Sequence, residues 1–404
     1  MINLKFIDYL KFIIFIFIYY FFNSYISNSI NKIYNEKELY WNNEKINITA
    51  IKESIINYQN ISNLSISEFN FLNLEYIEEV KNPKISLIIP VYNQQKYLIS
   101  FYMSVYNQSL KEIEIIFIND ASKDNSSTII EEFMKKDKRI IHLRNSTKKR
   151  EYYSKKKGVL HAKGEYMLIT SPDDLLLNNI LEKAYETIKN NNLDILQYYI
   201  IIGSYKNNRL WKNLKYKSGI ISYPKIKDYF YNSYSPMIFD KLIKRELFLE
   251  SMQYMTEYYN NDSFDYSDND LAIFALSKKA KSYGFLEDVG YFYNIKNCWL
   301  TVEYSYKNKH VDKIFSKLFN VTKYFFEESK DNRQEKLFGY KFFYNKLYKY
   351  RNKLFYLYKN FDNINNILDE YLNCRYFNKK EKKKIQNFKN LLNTIKINNA
   401  NDTI

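Results

Sequence analysis

KKKGVLHAKGEYMLITSPDDL, from Lys155 to Leu175, is the stretch in which the sequence pattern changes from helix to strand. A helix is predicted to end near Gly164, because glycine is favoured where helices stop. The run Tyr166–Thr170 is short and apolar, which predicts a buried strand. Two acidic residues, Asp173 and Asp174, follow the strand. They are therefore expected at its carboxyl end.

The acidic pair allows two interpretations. In an open α/β sheet, ligands bind outside the carboxyl ends of the strands, and a carboxylate there can hold Mg²⁺ or Mn²⁺ through its hard oxygen atoms. Alternatively, Pro172 and the two acids only begin the next helix, where an acidic side chain caps free N–H groups. The upstream sequence favours the first interpretation.

Strands and helices alternate upstream of this stretch. KISLIIPVYN predicts a buried strand over Ile85–Ile89, and a helix is predicted over Gln95–Tyr106. EIEIIFIND predicts a second buried strand that ends at Asp120. A helix over Thr128–Lys136 and a strand over Arg139–Leu143 complete the series. This alternation predicts a parallel sheet with right-handed crossovers, so Asp120 and Asp173 are expected to face one crevice. Taken alone, Asp120 is also typical of a turn.

Four segments, in this order, resemble the nucleotide-sugar half of glycosyltransferase family 2. They are KISLIIPVYN, SVYNQS (Ser104–Ser109), EIEIIFINDASKDNSS and KKKGVLHAKGEYMLITSPDD. The resemblance covers about Lys84 to Asn294. It implies the GT-A fold, an α/β, Rossmann-like and mostly parallel sheet flanked by helices. It also implies an inverting enzyme that moves a sugar from a nucleotide-sugar, expected to be a UDP-sugar, to an acceptor hydroxyl without a covalent intermediate.

The resemblance also implies residues for the donor site. The expected nucleotide-binding residues are Pro90, Val91, Tyr92, Asp120, Lys155, Gly158 and Ser171. The first three would line the base, the aspartate would contact the uracil or ribose, and Lys155 would lie near the diphosphate. Asp173 matches the last Asp of the family's D-x-D motif and would hold Mn²⁺ or Mg²⁺.

Two departures from the family pattern affect the donor site. Ser171 stands at the first Asp of D-x-D, so one negative charge is missing beside the expected metal. Lysines, beginning at Lys155, replace the family's usual Arg-Asn pair. They keep the positive charge but lack the bidentate fork of arginine.

The expected catalytic base lies near the start of DYSDNDLAIFALSKKAKSYGFLEDVGYFY (Asp265–Tyr293), which resembles the family segment that carries the base. An ungapped match places Asn269 on the catalytic Asp of the family, and an amide cannot accept the proton. We therefore predict that Asp268 or Asp270 is the base. Alternatively, these acids only stabilise the amino end of a helix through its dipole.

The N-terminal residues 1–31 are predicted to anchor the chain in a membrane. KFIIFIFIYYFF (Lys11–Phe22) is an unbroken apolar run, and with its flanks it reaches about 17 residues, the short end for a membrane span. Preceding lysines favour a cytoplasmic N-terminus. A cleaved signal peptide and a buried soluble helix are the alternatives.

A polar stem is predicted over residues 32–82, and its glycosylation sequons at Asn47, Asn60 and Asn63 are compatible with a lumenal position. We expect a single-pass membrane protein of the Golgi or ER with a lumenal catalytic domain. The sequence leaves a cytosolic orientation open.

The remaining chain is divided into a GT-A domain at residues 83–298 and a basic helical region at residues 299–404. Within the first, helices are predicted over Leu175–Asn191 and, near the acceptor, over Phe239–Phe248. The 2 cysteines and 3 scattered histidines argue against a disulfide framework and a histidine-built zinc site.

The net charge of +16 suits an anionic membrane surface, nucleic acid or merely a solvated helical face. The apolar N-terminus argues against nucleic acid. The expected acceptor is a glycan, lipid or protein. The alternative function is a catalytically inactive GT-A scaffold that binds nucleotide, sugar or a protein partner.

Overall fold

The computed structural model describes the parts of the chain that follow. They are residues 40–41, 44–45, 48–61, 64–70, 74–149, 151–177, 179–204, 207–212, 219–222, 226, 237–259, 268–294, 311–329, 332–349, 361–375 and 377–401. The chain divides into two compact units, Met1–Glu53 and Ser54–Ile404. In the first unit, β1 (Tyr40–Trp41) pairs antiparallel with β2 (Glu44–Lys45).

The predicted anchor at residues 1–31 lies outside the described residues. Within the ranges given above, no helix has both the length and the apolar composition needed to cross a membrane. The anchor therefore stays a prediction.

A large mixed sheet forms the centre of the second unit. Its strands are β3 (Ile85–Val91), β4 (Ile113–Asn119), β5 (Ile140–Arg144), β6 (Tyr166–Ile169), β7 (Leu175–Leu176), β8 (Ile195–Ser204), β9 (Asn207–Lys212), β10 (Gly219–Ser222), β11 (Lys241–Lys244) and β12 (Ser282–Asn294). The spatial order is β10-β12-β8-β11-β6-β3-β4-β5, with β7 paired to β12 and β9 to β8.

Helices precede, flank and follow this sheet along the chain. They are α1 (Ile48–Ile61), α2 (Ile66–Asn70), α3 (Gln95–Tyr106), α4 (Ser126–Lys136), α5 (Glu151–His161), α6 (Ile180–Asn190), α7 (Arg245–Tyr259), α8 (Asp268–Lys279), α9 (Val311–Glu328), α10 (Arg333–Lys349), α11 (Phe361–Asn373) and α12 (Lys379–Asn401).

One part of the sheet is parallel, as the alternation of strands and helices predicts. Strands β5, β4, β3 and β6 lie side by side in parallel. Side chains of β3 alternate between two core clusters, with Ile88 in one and Leu87 and Ile89 in the other. Burial on both faces explains why this strand is a continuous apolar run instead of an alternating pattern.

The rest of the sheet is mixed, so the prediction of a mostly parallel sheet is wrong there. Strand β11 runs antiparallel to both β6 and β8. It occupies residues for which a helix over Phe239–Phe248 was expected, and helix α7 begins only at Arg245. The charges that obscured the strand pattern are buried and paired, since Lys241 Nζ lies 2.6 Å from a carboxylate oxygen of Asp240.

Strand β3 continues through Pro90, although the sequence predicts that it stops there. The pairing of β3 with β6 ends near Ile88, whose carbonyl accepts the N–H of Thr170 at 3.1 Å. On the opposite side of β3, the Val91 carbonyl accepts the N–H of Asp120 at 2.8 Å. Pro90 therefore faces the side on which pairing has ended, and its missing N–H costs no hydrogen bond of the sheet.

Gly164 is required for close packing and not as the predicted helix cap. Helix α5 ends at His161. A Cβ atom on Gly164 would lie 2.5 Å from the backbone nitrogen of Ser86, at the start of β3. The Gly164 N–H also donates to the Ser86 hydroxyl at 2.8 Å. The glycine thus allows the entry to β6 to lie against β3.

The C-terminal helices pack against α8. The ring of Phe274 lies 4.6 Å from that of Phe325 and 5.5 Å from that of Phe338, measured between centroids. Lys278 Nζ lies 2.9 Å from the Glu335 carboxylate. The basic helical region therefore supports the helix that begins at the predicted base.

Part of the predicted stem also packs onto the sheet domain. Phe69 of α2 is buried, and its ring lies 5.1 Å from Phe133 and 6.1 Å from Tyr102. Ile77 forms a parallel bridge with Asp137. This portion of residues 32–82 therefore contributes to the core.

Candidate active site

A cavity of about 510 Å³ opens at the carboxyl ends of β3, β4 and β6. Its lining residues are Pro90, Val91, Tyr92, Asn93, Gln94, Tyr97, Asp120, Lys148, Glu151, Ser154, Lys155, Ile169, Thr170, Ser171, Asp173, Asp174, Ile238, Phe239, Asn269 and Tyr293. The edge of the sheet is the one at which ligands bind in open α/β folds.

The loops after β3 and β4 brace one another at one end of the cavity. The N–H of Asn93 donates to the Ser122 hydroxyl at 3.0 Å, and the N–H of Lys123 donates to Asn93 Oδ1 at 2.8 Å. Asn93 and Ala121 have φ angles of 53° and 57°. A left-handed alanine is uncommon and costs conformational energy, so the bonds between the loops hold a strained shape.

Tyr92 and Asp120 lie at this braced end. Lys148 Nζ lies 3.7 Å from the centre of the Tyr92 ring, within the range of a cation–π contact. Asp120 is buried, and its Oδ1 accepts bonds from Asn145 Nδ2 at 2.8 Å and from the N–H of Lys149 at 2.7 Å. Asp120 thus lies in the predicted crevice, and these two bonds join it to the segment that follows β5.

The acidic pair after β6 separates into two environments. Asp174 Oδ2 accepts the hydroxyl of Tyr291 at 2.7 Å, and its Oδ1 accepts the N–H of Asn294 at 2.9 Å. Asp174 therefore ties the end of β6 to β12. Helix α6 begins only at Ile180, so the alternative that the pair starts a helix is wrong, as is the predicted start of this helix at Leu175.

Asp173 is held differently. Its Oδ1 accepts a hydrogen bond from the hydroxyl of Ser171. Burial raises the pKa of Asp173 to about 6, the Ser171 bond opposes the rise, and the negative charge of Glu151 adds to it. A charged Asp173 is thus costly, because the contacts named here bring it no positive charge.

A divalent cation fits this environment. A metal beside a buried carboxylate stabilises the charged form, which desolvation disfavours. Asp173 supplies the hard oxygen atom that Mn²⁺ and Mg²⁺ prefer. Among the residues described by the structure, no group of three or more His, Cys, Asp or Glu side chains is placed to hold a metal ion. Metal dependence stays a prediction.

Lys155 connects α5 with α8 across the cavity. Its Nζ lies 2.6 Å from the Glu151 carboxylate and donates to Asn269 Oδ1 at 3.0 Å. Gly158, one turn further along α5, is buried at the sheet. A Cβ atom there would lie 2.7 Å from side-chain atoms of Ile88 and of Ile118, so Gly158 allows close packing of α5.

Aromatic rings form the wall of the cavity beyond the acidic pair. The Phe239 ring stacks on those of Tyr291 and Tyr293, with centroid distances of 4.9 Å and 5.0 Å. The turn that carries Phe239 is fixed because its carbonyl accepts the Tyr198 hydroxyl at 2.7 Å. Phe239 and Tyr293 are half-buried and line the cavity.

The first turn of α8 borders the same cavity through Asn269. Asp268 and Asp270 flank Asn269 in this turn. The placement of their side chains lies outside what the structure describes, so the assignment of the base stays a prediction.

Residues 86–252 match the family model described as Glycosyl transferase family 2. The resemblance is confirmed for this part of the chain. The matched region contains the braced loops, Asp120, Lys155 and Asp173, and it ends before α8 begins.

Two curated relatives carry the same resemblance. Glycosyltransferase GlyG of Streptococcus pneumoniae serotype 4 is 35% identical over 123 residues, which are 30% of this chain and 39% of GlyG. The GalNAc(5)-diNAcBac-PP-undecaprenol beta-1,3-glucosyltransferase of Campylobacter jejuni is 28% identical over 184 residues, which are 45% of this chain and 58% of that protein. The matched part of this chain spans less than two thirds of either relative.

A solved structure supports the fold. The crystal structure of S. aureus TarS 1-349 in complex with UDP-GlcNAc matches with a TM-score of 0.50 at 17% identity, over 62% of this chain and 70% of that chain. This match confirms the predicted GT-A-like α/β fold, in which helices flank the sheet. The sheet itself is mixed and not mostly parallel.

The structure brings most of the predicted family 2 residues together. Those that line the cavity are Pro90, Val91, Tyr92, Asp120, Lys155, Ser171 and Asp173. Gly158 lies instead at the interface of α5 with the sheet. Four other residues that line the cavity, Glu151, Lys148, Phe239 and Tyr293, were not predicted from the sequence. Glu151 precedes Lys155 by one helical turn, which was a usable signal; the two aromatic residues gave no local signal in a chain with 42 Tyr and 29 Phe.

Proposed function

We propose that this chain is an inverting glycosyltransferase that transfers a sugar from a UDP-sugar to an acceptor hydroxyl. The observation that carries the proposal is the meeting of Asp120 and Asp173, from the ends of two different strands, in one cavity with Lys155. The family 2 match covers all three residues. The bound UDP-GlcNAc in the TarS structure supports this class of donor.

The donor would extend from the braced loops toward the aromatic wall. Tyr92 and the adjacent strand end would contact the base, and Asp120 would accept hydrogen bonds from the uracil or ribose. Its fixed position, set by Asn145 and Lys149, limits the entropy lost when the nucleoside binds.

The diphosphate would lie between Lys155 and Asp173. Lys155 would stabilise the negative charge that develops on the leaving diphosphate. Mn²⁺ or Mg²⁺ on Asp173 would supply further charge stabilisation for the same leaving group. The Ser171 hydroxyl keeps Asp173 oriented through its hydrogen bond.

The acceptor would enter beside α8. Asp268 or Asp270 would accept the proton of the acceptor hydroxyl as its oxygen attacks the anomeric carbon. Inversion follows from a single displacement, in which the new bond forms opposite the breaking bond to the diphosphate. The aromatic wall would contact the apolar face of a sugar ring.

The cellular setting is also part of the proposal. The apolar run in residues 1–31 would anchor the chain in the Golgi or ER membrane, with the catalytic domain in the lumen and a glycan, lipid or protein as the acceptor. Protease protection in sealed microsomes tests this orientation. Digestion of the catalytic domain without detergent would contradict it.

The deciding experiment is calorimetric titration of UDP into the full-length chain in mild detergent, with Mn²⁺ and with EDTA. The same samples are assayed for slow hydrolysis of UDP-sugars. The variants are Asp173→Ala, Asp268→Asn and Asp270→Asn, with Asp288→Asn as control. Asp288 pairs with Lys183 at 2.6 Å, and it is not among the residues that line the cavity.

We expect metal-dependent UDP binding that Asp173→Ala abolishes and Asp288→Asn preserves. Loss of hydrolysis in one of the two α8 variants, with UDP binding retained, would identify the base. Binding by the wild type without turnover of any UDP-sugar, even with candidate acceptors, would favour the inactive scaffold. Absence of UDP binding with any metal would overturn the proposed donor.

A further inference from the structure

Lys155 is held by two residues that the assigned donor site does not include. Its side chain is 8% exposed, and the Glu151 carboxylate lies 2.6 Å from its Nζ. Asn269, which belongs to α8, accepts a hydrogen bond from the same Nζ at 3.0 Å. Both partners line the cavity. The cation assigned to the diphosphate is therefore restrained from two directions.

The two restraints differ in charge. Asn269 is neutral, so it can orient Lys155 without competing for its positive charge. Glu151 is one helical turn before Lys155, and its side chain is 43% exposed. It places a negative charge at the wall where a diphosphate would bind, and like charges in a partly buried site repel one another.

We propose that Asn269 is a positioning residue that holds Lys155 toward the diphosphate, and that Glu151 pairs with Lys155 while the diphosphate is absent and thereby lowers donor affinity. The inference rests on the proposed function, because it assumes that Lys155 meets a diphosphate. When the diphosphate binds, Lys155 exchanges the Glu151 carboxylate for phosphate oxygens and keeps its bond to Asn269. Asn269 thus has a role at a position where the family resemblance implies a base.

The two residues give opposite effects, which makes the inference testable. Glu151→Gln removes the competing charge and is expected to tighten UDP binding by about threefold to tenfold. Asn269→Ala removes one hydrogen bond to Lys155 and is expected to weaken UDP binding by about threefold to tenfold. Both effects should be absent with uridine, because uridine has no phosphate. Affinities for UDP are measured by calorimetry, and those for uridine by ligand-observed NMR.

Matched controls separate positioning from general damage. Glu186→Gln makes the same change of charge on an exposed residue of helix α6, outside the cavity lining. If the alanine variant is unstable, Asn269→Ser provides a more conservative substitution, because serine is polar but shorter than asparagine. In a Lys155→Met background, Asn269→Ala should have no further effect on UDP affinity, because a positioning residue acts through the group that it positions.

The outcomes distinguish the inference from the proposed function. Lack of UDP binding by the wild type would overturn the proposed function before any variant is compared, and the inference with it. If the wild type binds UDP, an unchanged affinity in Glu151→Gln or Asn269→Ala would overturn the inference alone. So would equal changes for UDP and uridine, or an effect of Asn269→Ala that persists without Lys155.

Discussion

The two sides of the cavity are built by contacts of different sequence range. On the nucleotide side, formed by β3 to β6 and their loops, the Asn93–Ser122 and Asp120–Lys149 bonds each join residues 29 positions apart. On the acceptor side, formed by β11, β12 and α8, the Lys155–Asn269 bond spans 114 positions and the Asp174–Tyr291 bond spans 117.

Because of this difference, we expect substitutions on the two sides of the cavity to have different effects. On the nucleotide side, backbone groups pack or bond at fixed distances, so substitutions that disturb this backbone packing should damage the fold. The acceptor side depends on stacked rings and side-chain bonds, which other side chains can replace. Substitutions there should alter ligand preference with little effect on folding. The predictions below test this contrast.

The largest effect is expected for Gly164→Ala on the nucleotide side. The new Cβ atom would lie 2.5 Å from the nitrogen and 2.5 Å from the hydroxyl oxygen of Ser86, so the backbone of β3 or the entry to β6 must shift. Overpacking of this kind reduces the free energy of unfolding by roughly 3 kcal/mol. Urea denaturation followed by circular dichroism measures the loss.

Gly158→Ala is the matched control for that prediction. Its Cβ atom would meet side-chain atoms of Ile88 and Ile118, both at 2.7 Å, and side chains yield more easily than backbone. We expect a smaller loss of about 1 kcal/mol. Equal losses for the two variants would contradict the view that the backbone approach at Gly164 is the critical contact.

The same contrast explains what the sequence could predict. The nucleotide side combines short apolar strands with turns that carry Asp120 and Asp173, and local patterns predict both the strands and the acids at their ends. The predicted stop at Pro90 is wrong, because the end of the pairing with β6, which leaves that side of β3 without a partner strand, depends on the tertiary structure. The sequence correctly predicts that a helix ends near Gly164, but no local pattern predicts that Gly164 lies close to Ser86.

The acceptor side was poorly predicted for a physical reason. Strand β11 begins at Lys241, which forms a buried ion pair with the preceding Asp240, and buried charges erase the alternation by which strands are recognised. The aromatic wall joins Phe239 to residues of β12 more than 50 positions away. In a chain with an aromatic content of 18%, no single aromatic residue is distinctive enough to predict such a contact.

The second prediction concerns Asp173→Asn, which should stabilise the protein and abolish metal-dependent UDP binding. Burial raises the pKa of Asp173 to about 6, from an ordinary value of 3.8. The folded state therefore binds the proton more tightly than the unfolded state. The stability that the folded state gains from this tighter proton binding is complete below pH 3.8, and it is lost as the pH rises through about 6. At pH 7 the asparagine variant should be more stable by on the order of 2 kcal/mol without metal.

Thermal unfolding between pH 4 and pH 7 tests this sign. The difference in stability between Asp173→Asn and the wild type should grow as the pH rises, and Mn²⁺ should stabilise only the wild type. Asp174→Asn is the control at the neighbouring carboxylate. It weakens the bonds from the Tyr291 hydroxyl and the Asn294 N–H, so we expect a loss of about 1 kcal/mol. Destabilisation by Asp173→Asn at pH 7 would refute the prediction.

The smallest effect is expected for Phe239→Leu, on the acceptor side. The substitution removes the stack on Tyr291 and Tyr293 but leaves the Tyr198 bond to the backbone carbonyl. UDP affinity should stay unchanged, while hydrolysis of UDP-sugars should fall by about threefold to tenfold, because an aromatic contact contributes roughly 1 kcal/mol. Phe285→Leu is the control, since that ring packs on Tyr199 at 4.9 Å and is not among the residues that line the cavity. Weaker UDP binding in Phe239→Leu would mean that the two sides of the cavity are coupled, and the contrast between them would not hold.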